Sequence, residues 1–185
     1  MPRTLGTLLV FALLAAVGLA QAPDFAEIKK EAEAGNANAQ YNLGVMYARG
    51  DDVPNDFGEA AKWFLMAAEQ EYRPAQYTLG LMYKRGEGVP LDLNKAVGFI
   101  TLAALHGHAD AQYSLGGMYA LGEGVAKDLV QAHFWLYSAY AREAEGAKET
   151  LTLVESQMTD AQKGELMKLV RALFSKYKLP KASSQ

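Results

Sequence analysis

The segment Ala-Gln-Tyr-x-Leu-Gly-x-Met-Tyr occurs three times, beginning at Ala39, Ala75 and Ala111, so the chain repeats itself every 36 residues without insertion. A unit of that length holds two helices but cannot bury its own apolar face, and must stack on its neighbours. The period therefore predicts an all-α protein: an α/α solenoid, or superhelix, of helix-turn-helix units with an extended binding surface.

The first helix of each unit is predicted from about Asn38 to Arg49, with Ala39, Leu43, Met46 and Tyr47 on one stripe and their equivalents at 36-residue steps. Gly44, Gly80 and Gly116 fall inside these helices. There glycine costs about 1 kcal/mol relative to alanine, and a cost repeated three times predicts a neighbouring helix backbone close by. Gly86-Glu87-Gly88 and Gly122-Glu123-Gly124 end the first helices, while in the first unit Asp52 stands where the second glycine is expected. Aspartate tolerates a left-handed backbone better than most residues, so the turn is predicted to survive. Asp56, Asp92 and Asp128 are the N-caps of the second helices. Trp63, Phe99 and Trp135 alternate with alanines there, a pattern of interlocking core rather than of ligand stacking.

The first twenty residues are a separate element. Arg3 precedes an apolar run from Leu5 to Leu19 with small residues behind it, which predicts a signal peptide over residues 1–20, cut before Gln21. The run is short for a membrane span, which needs about 20 apolar residues. An N-terminal segment with one partial repeat helix then covers 21–37, and repeats cover 38–73, 74–109 and 110–145. Residues 146–185 hold a degenerate first helix, a capping helix opened by Thr159-Asp160-Ala161-Gln162 and a tail. The capping helix is expected to bury Leu166, Leu169, Val170, Leu173, Phe174 and Tyr177 on one face. Without Arg3 the chain carries 17 basic and 21 acidic residues, a formal charge of −4 that argues against a nucleic-acid partner. Export without any cysteine means a fold without disulfides, and fits a bacterial periplasm better than an extracellular space. Membrane contact is expected only through the signal segment before cleavage.

The pattern Ala-x-x-x-Leu-Gly-x-x-Tyr-x-x-Gly-x-Gly-Val, followed by Asp and by Ala-x-x-Trp/Phe, resembles the Sel-one-like repeat (SLR), a relative of the tetratricopeptide repeat, from about Phe25 to Leu151. That resemblance implies an adaptor that assembles other proteins, often in bacterial envelopes. It implies no particular partner.

In solenoids of this type the first helices line the concave side. A 100-degree wheel turns Tyr41, Val45, Ala48 and Arg49 away from the core stripe, with Tyr77, Leu81, Lys84 and Arg85 and then Tyr113, Gly117, Ala120 and Leu121 as their equivalents. The candidate groove for a protein or peptide is therefore Tyr41, Arg49, Tyr77, Leu81, Lys84, Arg85 and Tyr113, since tyrosine and arginine favour binding hot spots. Two roles are open to the tyrosines: contact with a ligand, or packing between repeats. Arg49, Lys84 and Arg85 are either a basic patch for an acidic peptide or a solvated face.

Signals of catalysis are sparse. His106, His108 and Asp110 have metal-like spacing but fall in an inter-repeat turn without a fourth ligand, with His133 elsewhere. Ser175-Lys176-Tyr177-Lys178 matches the Ser-x-x-Lys element of penicillin-recognising enzymes, yet the companion Ser-Asp-Asn and Lys-Thr-Gly elements are missing. Phosphate-cradling loops are missing too, and no cofactor is expected. The alternative to an adaptor is an envelope hydrolase, β-lactamase-like or acting on peptidoglycan.

Overall fold

The computed structural model describes residues 24–177; the predicted signal peptide and the tail after Tyr177 lie outside them. Among the described residues the chain forms helices and no strands: α1 (Phe25–Glu33), α2 (Ala37–Arg49), α3 (Phe57–Glu69), α4 (Arg73–Arg85), α5 (Leu93–Leu105), α6 (Ala109–Leu121), α7 (Leu129–Tyr140), α8 (Ala147–Gln157) and α9 (Asp160–Tyr177). Helices α2/α3, α4/α5 and α6/α7 are the three pairs, and each packs on the next.

Local chemistry sets the turn between the paired helices in the same way in each unit. Gly50, Gly86 and Gly122 end the first helices in the left-handed region, their N–H groups donating to Met46, Met82 and Met118. The turn is closed when Asp56, Asp92 and Asp128 donate their backbone N–H to Tyr47, Tyr83 and Tyr119, each at 2.9 Å. The same three aspartates then accept from the first turn of the second helix and cap it. Asp52 adopts φ 59°, beside 69° and 70° at Gly88 and Gly124, so the first unit keeps the turn at the cost of a strained backbone angle.

The mid-helix glycines are where paired helices touch. A Cβ on Gly44 would lie 2.7 Å from the Phe64 ring, one on Gly80 2.6 Å from Ile100 and one on Gly116 2.6 Å from Leu136. Phe64, Ile100 and Leu136 are accordingly the deepest large residues of the second helices. Trp63 and Phe99 are half-buried and Trp135 is buried. Trp63 packs on Ala32, Ala39 and Leu43, Phe99 on the Ala60–Met82 cluster and Trp135 within the Ala96–Met118 cluster, so all three join successive units.

Gln40, Gln76 and Gln112 add a polar rung at each junction. Each is buried, and its amide donates to the carbonyl of Ala32, Ala68 or Ala104 near the end of the preceding second helix. Each carbonyl also accepts a backbone N–H from the turn that follows, Gly35, Glu71 or Gly107 at 3.0 Å, so the glutamine fills its second acceptor site.

The ends are modified units. Helix α1 is a lone second helix anchored by buried Ala32, and α8 is a lone first helix anchored by Ala147, Leu151 and Val154. Thr159 and Gln162 form a reciprocal capping box, with Thr159 N–H to Gln162 Oε1 at 2.9 Å and Gln162 N–H to Thr159 Oγ1 at 3.3 Å. Helix α9 then meets α7 through half-buried Leu166, whereas Leu169, expected on the covered face, is 48% exposed. The side chains of Val170 and of residues 172–177 lie outside the described residues.

Candidate functional site

The repeated tyrosines tie successive units together. Tyr77 Oη lies 3.1 Å from Ser114 Oγ, and Tyr113 Oη 3.2 Å from Thr150 Oγ1, each bond spanning one repeat. The Tyr41 ring instead sits 5.4 Å from both Phe64 and Tyr72. Hydroxyl residues at Thr78, Ser114 and Thr150, three positions after the repeated alanine, were the sequence signal for this role. Leu81 is likewise half-buried against the Ala96–Trp135 cluster.

The candidate cations do not form one patch. Lys84 Nζ lies 2.8 Å from Glu123 Oε2 and Arg85 Nη1 3.8 Å from Glu87 Oε2, so carboxylates offset two of the three. Arg49 is exposed and borders a groove of about 190 Å³ with Val45, Ala48, Phe57 and Glu87. Glu87 lies in the turn directly after Arg85, whereas Glu123, in the turn after α6, reaches Lys84 only once the units have stacked.

A larger groove, about 370 Å³, lies where α4, α6 and α8 meet, and it is bordered by Lys84, Tyr113, Gly117, Leu121, Lys127 and Leu153 among others. Leu121 and Leu153 expose 77% and 58% of their surface there. Tyr41, Tyr77, Leu81 and Arg85 border neither groove.

The histidines hold the scaffold. His108 is the N-cap of α6: its Nδ1 accepts from Ala111 N–H at 3.3 Å, and its ring lies 4.8 Å from Tyr77. Burial pushes its pKa below the usual histidine value, Asp110 opposes that shift and Arg73 adds to it. Protonated Nδ1 cannot accept the capping bond. A histidine with a depressed folded pKa contributes stability that is complete above its unfolded pKa of about 6.5 and is lost as pH falls from there toward the folded value. Acidification from pH 7.5 to 5 should therefore lower Tm, and His108→Asn, which keeps a cap acceptor without titrating, should make that slope shallower. Identical slopes in a calorimetric series would contradict this role.

His106 gives its carbonyl to Arg73 Nη1 at 3.0 Å, and His133 Nε2 pairs with Glu155 at 2.8 Å. Among the described residues no group of three or more His, Cys, Asp or Glu side chains is placed to hold a metal ion. Ser175 lies near the end of α9, and Lys178 lies outside the described residues. No described helix is long and apolar enough to cross a membrane.

Comparison with known proteins agrees with this architecture. The sequence matches the Sel1 repeat at residues 37–72, 73–108 and 109–143. A solved Sel1 repeat protein from Oxalobacter formigenes is 39% identical with a TM-score of 0.66, over 71% of this chain and 98% of that one. A protective antigen of uropathogenic Escherichia coli strains, displaying an SLR fold, is 43% identical with a TM-score of 0.63 over 64% of this chain. This chain spans 26% of the antigen's length. No curated protein matches. With its glycine contacts, capped turns and inter-unit tyrosines repeated in the matched register, the chain belongs to the Sel1 repeat family.

Proposed function

We propose that this protein is an exported scaffold of the bacterial periplasm that binds a protein or peptide partner on the face formed by its first helices. Sel1 repeat proteins are generally protein-interaction scaffolds, and the fold is typically non-enzymatic. The observation that carries the reading is the groove at α4, α6 and α8. Leu121 and Leu153 are exposed there beside lysines, whereas the repeated alanines, leucines and tyrosines around them are committed to packing. Exposed apolar side chains in a groove with a polar rim are what an interface core needs. Export rests on Arg3, the apolar run from Leu5 to Leu19 and the small residues before Gln21.

The test is in-cell cross-linking with the full chain, leader included, in a Gram-negative host. The wild type should be recovered from the periplasm starting at Gln21, with specific partners that disappear in the Leu121→Asp/Leu153→Asp variant at nearly unchanged Tm. The same proteins captured by both would end the reading of this face, and an uncut, cytoplasmic chain would end the reading of export.

A further inference from the structure

Gly117 is the one first-helix position on this face where the repeat lacks a side chain. Its equivalents are Val45, Leu81 and, in the degenerate unit, Leu153. Nothing in the packing requires the loss: a Cβ on Gly117 would meet no atom within 4 Å, whereas one on adjacent Gly116 would strike Leu136. Glycine inside a helix is unfavourable unless a close approach or a special backbone angle demands it, and neither applies here. Gly98 and Gly164 share this openness, but neither borders the groove. The missing side chain leaves a notch flanked by Leu121 and Leu153.

Charge narrows what would fill it. The groove holds Lys84, Lys127 and Glu123, and since Lys84 pairs with Glu123 while Lys127 forms no ion pair among the described residues, a positive charge is in surplus. The chain as a whole is acidic, with a formal charge of −3, so this surplus is local.

We infer that the notch over Gly117 seats one branched apolar or aromatic side chain of an extended partner segment whose neighbouring acidic residue pairs with Lys127. This rests on the reading of the first-helix face given above. An apolar anchor in a pocket with a charge at its rim is how a short segment gains both affinity and orientation. Gly117→Leu, the residue of the second unit, would occupy the seat itself.

The test uses fluorescein-labelled peptides Gly-Ser-Glu-Xaa-Glu-Ser-Gly, with leucine, phenylalanine or alanine at the variable position, and a lysine-flanked leucine control, titrated onto the protein by anisotropy. Leucine and phenylalanine peptides are expected to bind at least about tenfold more tightly than the alanine peptide, the scale of one buried apolar side chain. The lysine-flanked control should lose binding. Gly117→Leu should raise Tm by about 2–4 °C, as a helix-favouring replacement in open space, and weaken the leucine peptide about tenfold or more. Unchanged affinity in Gly117→Leu, or no saturable binding by any peptide, overturns the inference. A cellular partner lost in Leu121→Asp/Leu153→Asp but kept in Gly117→Leu would remove the notch and leave the binding face standing; a partner indifferent to both would remove both.

Discussion

Gly88→Asp, which gives the second unit the residue the first unit already carries in the same turn, is expected to cost about 3 kcal/mol or more, lowering Tm by roughly 10 °C. The left-handed backbone is not the main reason, since Asp52 adopts it at φ 59°. What sets the cost is the neighbour. A Cβ on Gly88 overlaps the backbone carbonyl of Phe57 and lies 2.8 Å from the Phe57 Cβ, and one on Gly124 lies 2.8 Å from the Leu93 oxygen. Phe57 and Leu93 open the second helices of the preceding units. In the first unit the register equivalent of Phe57 and Leu93 is Gln21, which lies outside the described residues. A backbone neighbour cannot swing aside as a side chain can. Asp52→Gly should accordingly gain up to about 1 kcal/mol by relieving the angle alone. Gly88→Asp within about 0.5 kcal/mol of the wild type in chemical denaturation would refute the contact.

Gly116 and Gly117 are expected to respond to alanine with opposite signs, although they are consecutive residues of α6. Gly116→Ala should destabilise by about 1–3 kcal/mol despite alanine's better helix propensity, because the new methyl meets Leu136 Cγ at 2.6 Å and its backbone nitrogen at 3.1 Å. Gly117→Ala should stabilise by about 1 kcal/mol, since its new methyl meets nothing within 4 Å. Propensity alone predicts gains at both positions. Two gains would mean that α6 and α7 do not pack as closely as described.

Most of the scaffold could be read from the chain because its determinants are local and repeated. The aspartate caps, the Thr159–Gln162 box and the left-handed angle at Asp52 each depend on residues only a few positions apart. The depth of the aromatic positions was harder to read. Trp63 and Phe64 are adjacent on a wheel that turns 100 degrees per residue, and only the glycine opposite decides that Phe64 is the deeper.

The candidate site was less legible because its geometry arises between units. Tyr77 and Tyr113 look outward on a single helix, yet the next first helix brings Ser114 and Thr150 to their hydroxyls. Lys84 and Arg85 read as free cations until stacking places Glu123 and the turn places Glu87 beside them. Gly117 was visible as a departure from Val45 and Leu81, but the open space over it could be known only from its neighbours in the stacked units.

The most direct test of the binding face is site-specific photocross-linking in cells, with benzoylphenylalanine placed at Leu121 on α6 in one strain and at Leu105 on α5, a second helix, in another. Both residues are largely exposed, at 77% and 65%, so a difference between them reports recognition rather than access. A discrete adduct formed from position 121 and not from position 105 is the predicted result. Adducts from position 105 alone, or the same products from both, would contradict the assignment of binding to the face of the first helices.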